Sequence, residues 1–342
     1  EHMNLSAQLF IEVKQQSLLA QYNQIAGKKA FESIAYDNAL YYFDKAEGFL
    51  IAEPWQSQYE LTFEIKIAQA RLFYLTLAYS QVDDLFHLLS IKAKSITDKV
   101  SIYKVQILSL IAQNKMQEAL SLGIDILNEL DIFLPQDENI GGYYLNVEQY
   151  YKKSEIKKLI DLPKMSNEQH LLALDILNAI QTPAYLISPD AFMKVIYASV
   201  DLCFKSGMCA LSGKIFSSHA LLLCGAFNQF NEGLEFTELA KKLNEKYTSP
   251  LYRIEIDFTA NASVMHWNKH INNTLKPLEQ NFYQGIECGN VEYAFHSALF
   301  YCFHNLFSGK QLTNVNAKFI KYTQIMRDKK QDYHLTLAQV LH

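Results

Sequence analysis

The stretch SIAYDNALYYFDKAE, residues 33–47, decides how the rest of the chain reads. Ala35, Ala39, Phe43 and Ala46 recur at spacings of three and four, which places them on one face of a 3.6-residue helix. Asp37, Asp44, Lys45 and Glu47 fall mostly elsewhere. Small residues on the apolar face let a neighbouring helix approach closely, and Phe43 with Tyr41 and Tyr42 fills the remaining gaps. None of these groups is arranged to move a proton or an electron, so the stretch reads as a packing surface.

Working outward, Gly27 precedes Ala39 by twelve residues. The order glycine, alanine, aromatic, alanine at these spacings resembles a tetratricopeptide repeat, a hairpin of two helices that stacks on its neighbours. Echoes occur in KMQEALSLGIDIL (115–127) and FNEGLEFTELAKKL (230–243), where a short polar turn leads into a helix with small residues on one face. The expected fold class is therefore all-α, an α-α superhelix: a tetratricopeptide-like solenoid of about seven helix hairpins with an inner groove.

Composition agrees with that class. The 342 residues include only 12 glycines and 7 prolines, too few for a loop-rich or all-β chain. With 31 basic and 36 acidic residues the net charge is −5, which gives no broad attraction to phosphate backbones, so no nucleic acid partner is expected. No apolar run reaches the roughly 18 residues of a membrane span. Cys203, Cys209, Cys224, Cys288 and Cys302 form no CxxC pair and sit among apolar neighbours, which suits reduced thiols and a cytoplasmic location.

Helical periodicity runs through most of the chain with brief polar breaks. The longest irregular stretch, DIFLPQDENIGG (131–142), separates an N-terminal helical array, residues 4–131, from an irregular connection with short helices, residues 132–165. A C-terminal array, residues 166–342, follows, with Ser166 and Gln169 spaced as a capping box at its start. Glu1, His2 and Met3 read as a junction scar. The end, LTLAQVLH, stops in mid-pattern, which fits a piece of a longer chain.

Several segments in order carry a family resemblance: AYDNALYYFDKAEGFL (35–50), PWQSQYEL (54–61), QEALSLGIDILNELDIFLP (117–135), LPKMSNEQ (162–169), PAYLISPDAFMKVIYASVDLCFKSGMCALSG (183–213), the His266-Trp267 pair, and GNVEYAFHSALF (289–300) followed by Gly309. Together they resemble the repeat-like helical region of large multidomain signalling proteins. Those proteins couple an AAA/STAND-type ATPase to an output module, often a sensor histidine kinase, sometimes with a Ser/Thr-kinase-like domain. The resemblance implies a regulatory, protein-interaction array whose partners are protein or peptide, in the first instance neighbouring domains of the same parent chain.

A search for chemistry leaves little. Gly207 to Gly213-Lys214 comes nearest to a P-loop, but the gap is one residue too long and Ile215 replaces the hydroxyl that would hold magnesium. No phosphoacceptor helix, ATP-lid, HRD or DFG motif is present. His266 and His270 stand at i and i+4, a spacing suited to a metal on one helical face, yet no further ligand joins them, and packing around Trp267 is the simpler expectation. His296 and His304 suit a packed helix. Asp83-Asp84 resembles half of a diphosphate-magnesium motif, with His87 where a third acid belongs, and reads more simply as the acidic first turn of a helix after Ser80.

The expectation is thus a non-catalytic regulatory segment of a multidomain signalling ATPase or kinase, with no catalytic residues, no cofactor, and His266 and His270 as the weak metal candidates. The alternatives are a free-standing tetratricopeptide-like adaptor, a small-molecule sensor and, remotely, an all-α metal-dependent enzyme. Of the 21 tyrosines and 21 phenylalanines, most are expected to fill gaps and a few to line the groove.

Overall fold

The structure, a computed structural model, describes residues 4, 12–33, 35–136, 140–329 and 331–341. Its helices are α1 (Val13–Glu32), α2 (Tyr36–Gly48), α3 (Pro54–Ser57), α4 (Tyr59–Leu75), α5 (Tyr79–Lys92), α6 (Ile96–Ala112), α7 (Met116–Glu129), α8 (Ile140–Ser154), α9 (Glu168–Ala179) and α10 (Gln181–Ile187). They continue as α11 (Pro189–Ser206), α12 (Ser212–Gly225), α13 (Phe230–Tyr247), α14 (Pro250–Thr259), α15 (Met265–Asn268), α16 (Asn272–Cys288), α17 (Val291–Phe307), α18 (Leu312–Asp328) and α19 (Asp332–Leu341). The fold is all-α, with no strand among the described residues. No helix among them is long and apolar enough to cross a membrane.

Contacts divide the chain into two compact units, one of Glu1–Phe133 with Ala179–Pro189, the other of Leu134–Asn178 with Asp190–His342. In the N-terminal unit α1/α2, α4/α5 and α6/α7 form consecutive hairpins, and α10 packs on α7. Gly27 explains the closeness of the first: a β-carbon there would lie 3.0 Å from the Phe43 ring. Ala39, Phe43 and Ala46 are buried in one cluster with Ile65 and Leu72 of α4, so Phe43 serves its own hairpin and the next. Burying such a ring is worth about 2–3 kcal/mol. The N-terminus of α6 is set by polar groups. Ser95 and Asp98 form a capping box, and Asp98 Oδ2 also accepts from Tyr59 Oη at 2.7 Å, which ties α6 to α4.

In the C-terminal unit α12/α13 and α16/α17 are the tightest hairpins. Gly233 of α13 crosses α12 where a β-carbon would meet Cys224 Sγ at 2.4 Å. Aromatic rings fill the unit: Tyr150 stacks on Phe204 at 4.3 Å, Phe204 abuts Phe216, and Phe216 abuts Phe236. The LPKM stretch docks by main-chain bonds, Met208 N to Pro163 O and Met165 N to Met208 O, both 2.8 Å. Gly207 permits this, since its φ is +100° and a β-carbon would sit 2.2 Å from the Pro163 carbonyl. The cysteines are free, and burial pushes the thiols of Cys203 and Cys302 up to about 12 and that of Cys224 to about 11.

One turn recurs in both units. The residue before each second helix, Ala35, Ala78, Lys115, Gln229 and Asn290, has φ between −85° and −93° and ψ between 60° and 71°. Leu77, Asn114, Asn228 and Gly289 immediately before four of them are left-handed, with φ from 56° to 82°. In the N-terminal unit each turn is closed by the same main-chain bond, Ala35 N to Ala30 O, Ala78 N to Phe73 O and Lys115 N to Leu110 O, all 2.8–2.9 Å.

Several helix limits differ from the sequence reading. The shared turn starts α5 at Tyr79, so Asp83 and Asp84 lie in its second turn, and Asp83 accepts from Gln106 Nε2 at 2.7 Å. At α9 the capping oxygen is that of Asn167, which accepts from His170 N at 3.1 Å, one residue later than the expected Ser166. A 15-residue helix, α8, lies within the stretch read as an irregular connection with short helices, and a six-residue 3₁₀ turn (Ile156–Asp161) follows it.

Candidate functional site

A cleft in the C-terminal unit arises where α13 stops. Thr248 turns left-handed with φ 50°, Ser249 Oγ accepts from Tyr252 N, and Pro250 begins α14. The chain thus reverses abruptly beside the end of α16. Asparagines hold α14 there: Asn281 Nδ2 donates to Ile254 O and Ser297 Oγ, both at 2.9 Å, and Asn290 Nδ2 donates to Leu251 O at 3.1 Å.

The resulting groove encloses about 660 Å³ and carries no aromatic ring; Lys241, Asn244, Arg253, Asp257, Glu287 and Cys288 are among its walls. Asp257 faces two cations, Arg253 Nε at 3.5 Å and Lys241 Nζ at 3.8 Å. Both pairs are long and partly exposed, so exchanging partners costs little. Arg253 and Asp257 were visible in the sequence as an i,i+4 pair, whereas Lys241 and Glu287 join them only through the packing of three helices.

Deeper in the unit Glu255 pairs with Lys214 at 2.5 Å, both side chains largely buried. Gly213 packs where a β-carbon would lie 2.8 Å from Ala240 O. The near-match to a P-loop therefore serves helix contact and an internal ion pair. It offers no loop of main-chain amides to a phosphate.

The structure separates the two candidate metal ligands. Residues 260–264 form a π-helical turn, α15 ends at Asn268, and Lys269 is extended, so His270 lies beyond the helix, exposed, with Nδ1 accepting from Asn272 N at 3.2 Å. His266 is half-buried against Trp267 and packs edge-on to His304 at 5.7 Å. Burial lowers its pKa. No group of three His, Cys, Asp or Glu side chains suited to a metal occurs among the described residues.

His304 and His296 do lie on a packed helix. His304 Nδ1 is 2.6 Å from Thr274 Oγ1, and burial lowers its pKa to about 4. His334 of α19 sits 4.5 Å from the His296 ring; burial lowers its pKa to about 4 also, with Glu292 opposing. His219, edge-on to Phe236 at 4.8 Å, is lowered to about 3 by burial alone.

Comparison with known protein families finds no match, and comparison with curated proteins finds none.

Proposed function

We propose that the chain is a non-catalytic interaction segment of a cytoplasmic multidomain signalling ATPase or kinase, and that the Arg253–Asp257 groove takes an extended peptide from a neighbouring domain of the same parent. The observation that carries this reading is the charge of the groove, with both signs on its walls and its two ion pairs loosely closed. A peptide carboxylate displaces Asp257 from Arg253 or Lys241, a peptide cation takes Asp257 or Glu287, and Asn244 supplies a neutral partner for the main chain. The occupied groove biases the neighbouring domains through its differential affinity for their two arrangements.

Panning a random peptide display library on the chain tests the reading. The expected result is a consensus holding an acidic and a basic residue close together, lost with Arg253→Ala. No consensus, or one that survives Arg253→Ala, overturns it. An antibody against the chain, used on source cells, separates parent from adaptor: a band far above 39.4 kDa supports the multidomain parent, and one near that mass assigns the groove to a free-standing adaptor.

A further inference from the structure

A second recess, of about 530 Å³, lies in the C-terminal unit where α17 turns into α18. Its walls are Asn305, Lys310, Asn314, Ala317, Lys318 and Lys321, with three cations and no acid. None of the three ammonium groups forms an ion pair among the described residues, although lysines elsewhere in this acidic chain do, including Lys66, Lys99 and Lys214.

Two of these lysines are held by neutral groups. Lys318 Nζ donates to Tyr301 Oη and lies 4.5 Å from the centre of that ring, and the side chain is half-buried. Lys321 Nζ donates to Tyr283 Oη at 3.0 Å and lies 4.8 Å from the centre of the Tyr322 ring. Phenol hydroxyls and ring faces orient an ammonium group without cancelling its charge. Glu279 is near enough to be felt by Lys321, but its oxygen accepts from Tyr322 Oη at 3.2 Å. Lys310 stands on the turn that follows Gly309, with φ 72° at that glycine, and Asn314 adds an uncharged amide, while the Nδ2 of buried Asn305 donates to Tyr301 O at 2.7 Å.

We infer that this recess binds a phosphate dianion, as a phosphate monoester or diphosphate. A compact dianion accepts from several fixed ammonium groups at once, and the excess of cations favours it over a single carboxylate. The site shares no residue with the Arg253–Asp257 groove and does not depend on the reading given for that groove.

Pyrophosphate titrated into the full chain by calorimetry at constant ionic strength is the test. Saturable binding is expected, weakened about tenfold by Lys310→Ala and about tenfold by Lys318→Met, which keeps the stem over Tyr301. Lys29→Ala, in the other unit, leaves it unchanged. Lys310 is exposed on a turn, so its loss does not threaten folding. Heats equal to those of sodium chloride at the same ionic strength, or undiminished affinity in the Lys310→Ala/Lys318→Met double variant, overturn the proposal. Phosphatidylcholine vesicles with and without phosphatidate locate the source. Pyrophosphate binding with retention on phosphatidate vesicles assigns a lipid headgroup, and pyrophosphate binding without retention assigns a soluble compound. Retention without pyrophosphate binding overturns the site.

Discussion

At Gly233 one added methyl group would meet a sulfur atom. The β-carbon of alanine there falls 2.4 Å from Cys224 Sγ and 3.2 Å from Ala220 O, so α12 and α13 must part. Overpacking of this kind costs about 1–3 kcal/mol, more than the gain of about 1 kcal/mol in helix propensity. Gly233→Ala is therefore expected to be destabilising in urea unfolding. Cys224→Ala alone is destabilising too, through lost packing, yet adding it to Gly233→Ala restores stability, because the sulfur is what the methyl group strikes. Additive losses in that double-mutant cycle would show that the crossing relaxes elsewhere.

Among the elements, the shared turn separates what could be read from the chain and what could not. The helices were legible because apolar residues repeat at their period, and the packing triad of Ala39, Phe43 and Ala46 is buried as its spacing implies. The same spacing recurs at Val82/Phe86/Leu89 and Ala294/Ala298/Tyr301, unread because side-chain size is not kept: Val82 and Leu89 enlarge the small positions, and Ala298 and Tyr301 exchange the aromatic and the small one. The limits of the helices were less legible, since the turn is written in main-chain bonds and not in residue type. Leu77 illustrates it: a leucine with φ 64°, 69% exposed, holds a conformation that glycine adopts freely. Leu77→Gly should raise stability by about 0.5–1 kcal/mol in chemical denaturation, and a loss would mean that the leucine packs usefully. The metal reading of His266 and His270 assumed one helix, and the helix stops at Asn268, between the two. The groove was illegible because its charges come from α13, α14 and α16, far apart in sequence and joined only by packing.

For the molecule as a whole, acid distinguishes the two units. Burial holds His219, His304 and His334 below their ordinary values in the C-terminal unit. The unfolded chain takes up protons near pH 6.5 that the folded unit refuses until about pH 4 at His304 and His334 and about pH 3 at His219. Stability is thus full above pH 6.5 and falls between 6.5 and 4, by up to about 1.4 kcal/mol per pH unit for each histidine. In the N-terminal unit the shifted acids are Asp98 and Glu47, both lowered: burial, the largest influence, raises them, and hydrogen bonds from Tyr59 to Asp98 and from Lys66 to Glu47 outweigh it. Their stabilisation is lost only as pH falls through the ordinary carboxylate values, below about pH 5. Trp55 and Trp267 report one unit each, so single-tryptophan variants unfolded in urea at pH 7, 6 and 5 should show the midpoint falling for Trp267 and holding for Trp55. Equal shifts would remove the histidines as the cause. The recurrent turn has a further consequence for tolerance to change. Its five leading residues, Ala35, Ala78, Lys115, Gln229 and Asn290, have little in common as letters while sharing a backbone path. A corner specified by the main chain asks nothing of the side chain that occupies it, so the hairpins can trade residues there and keep their geometry.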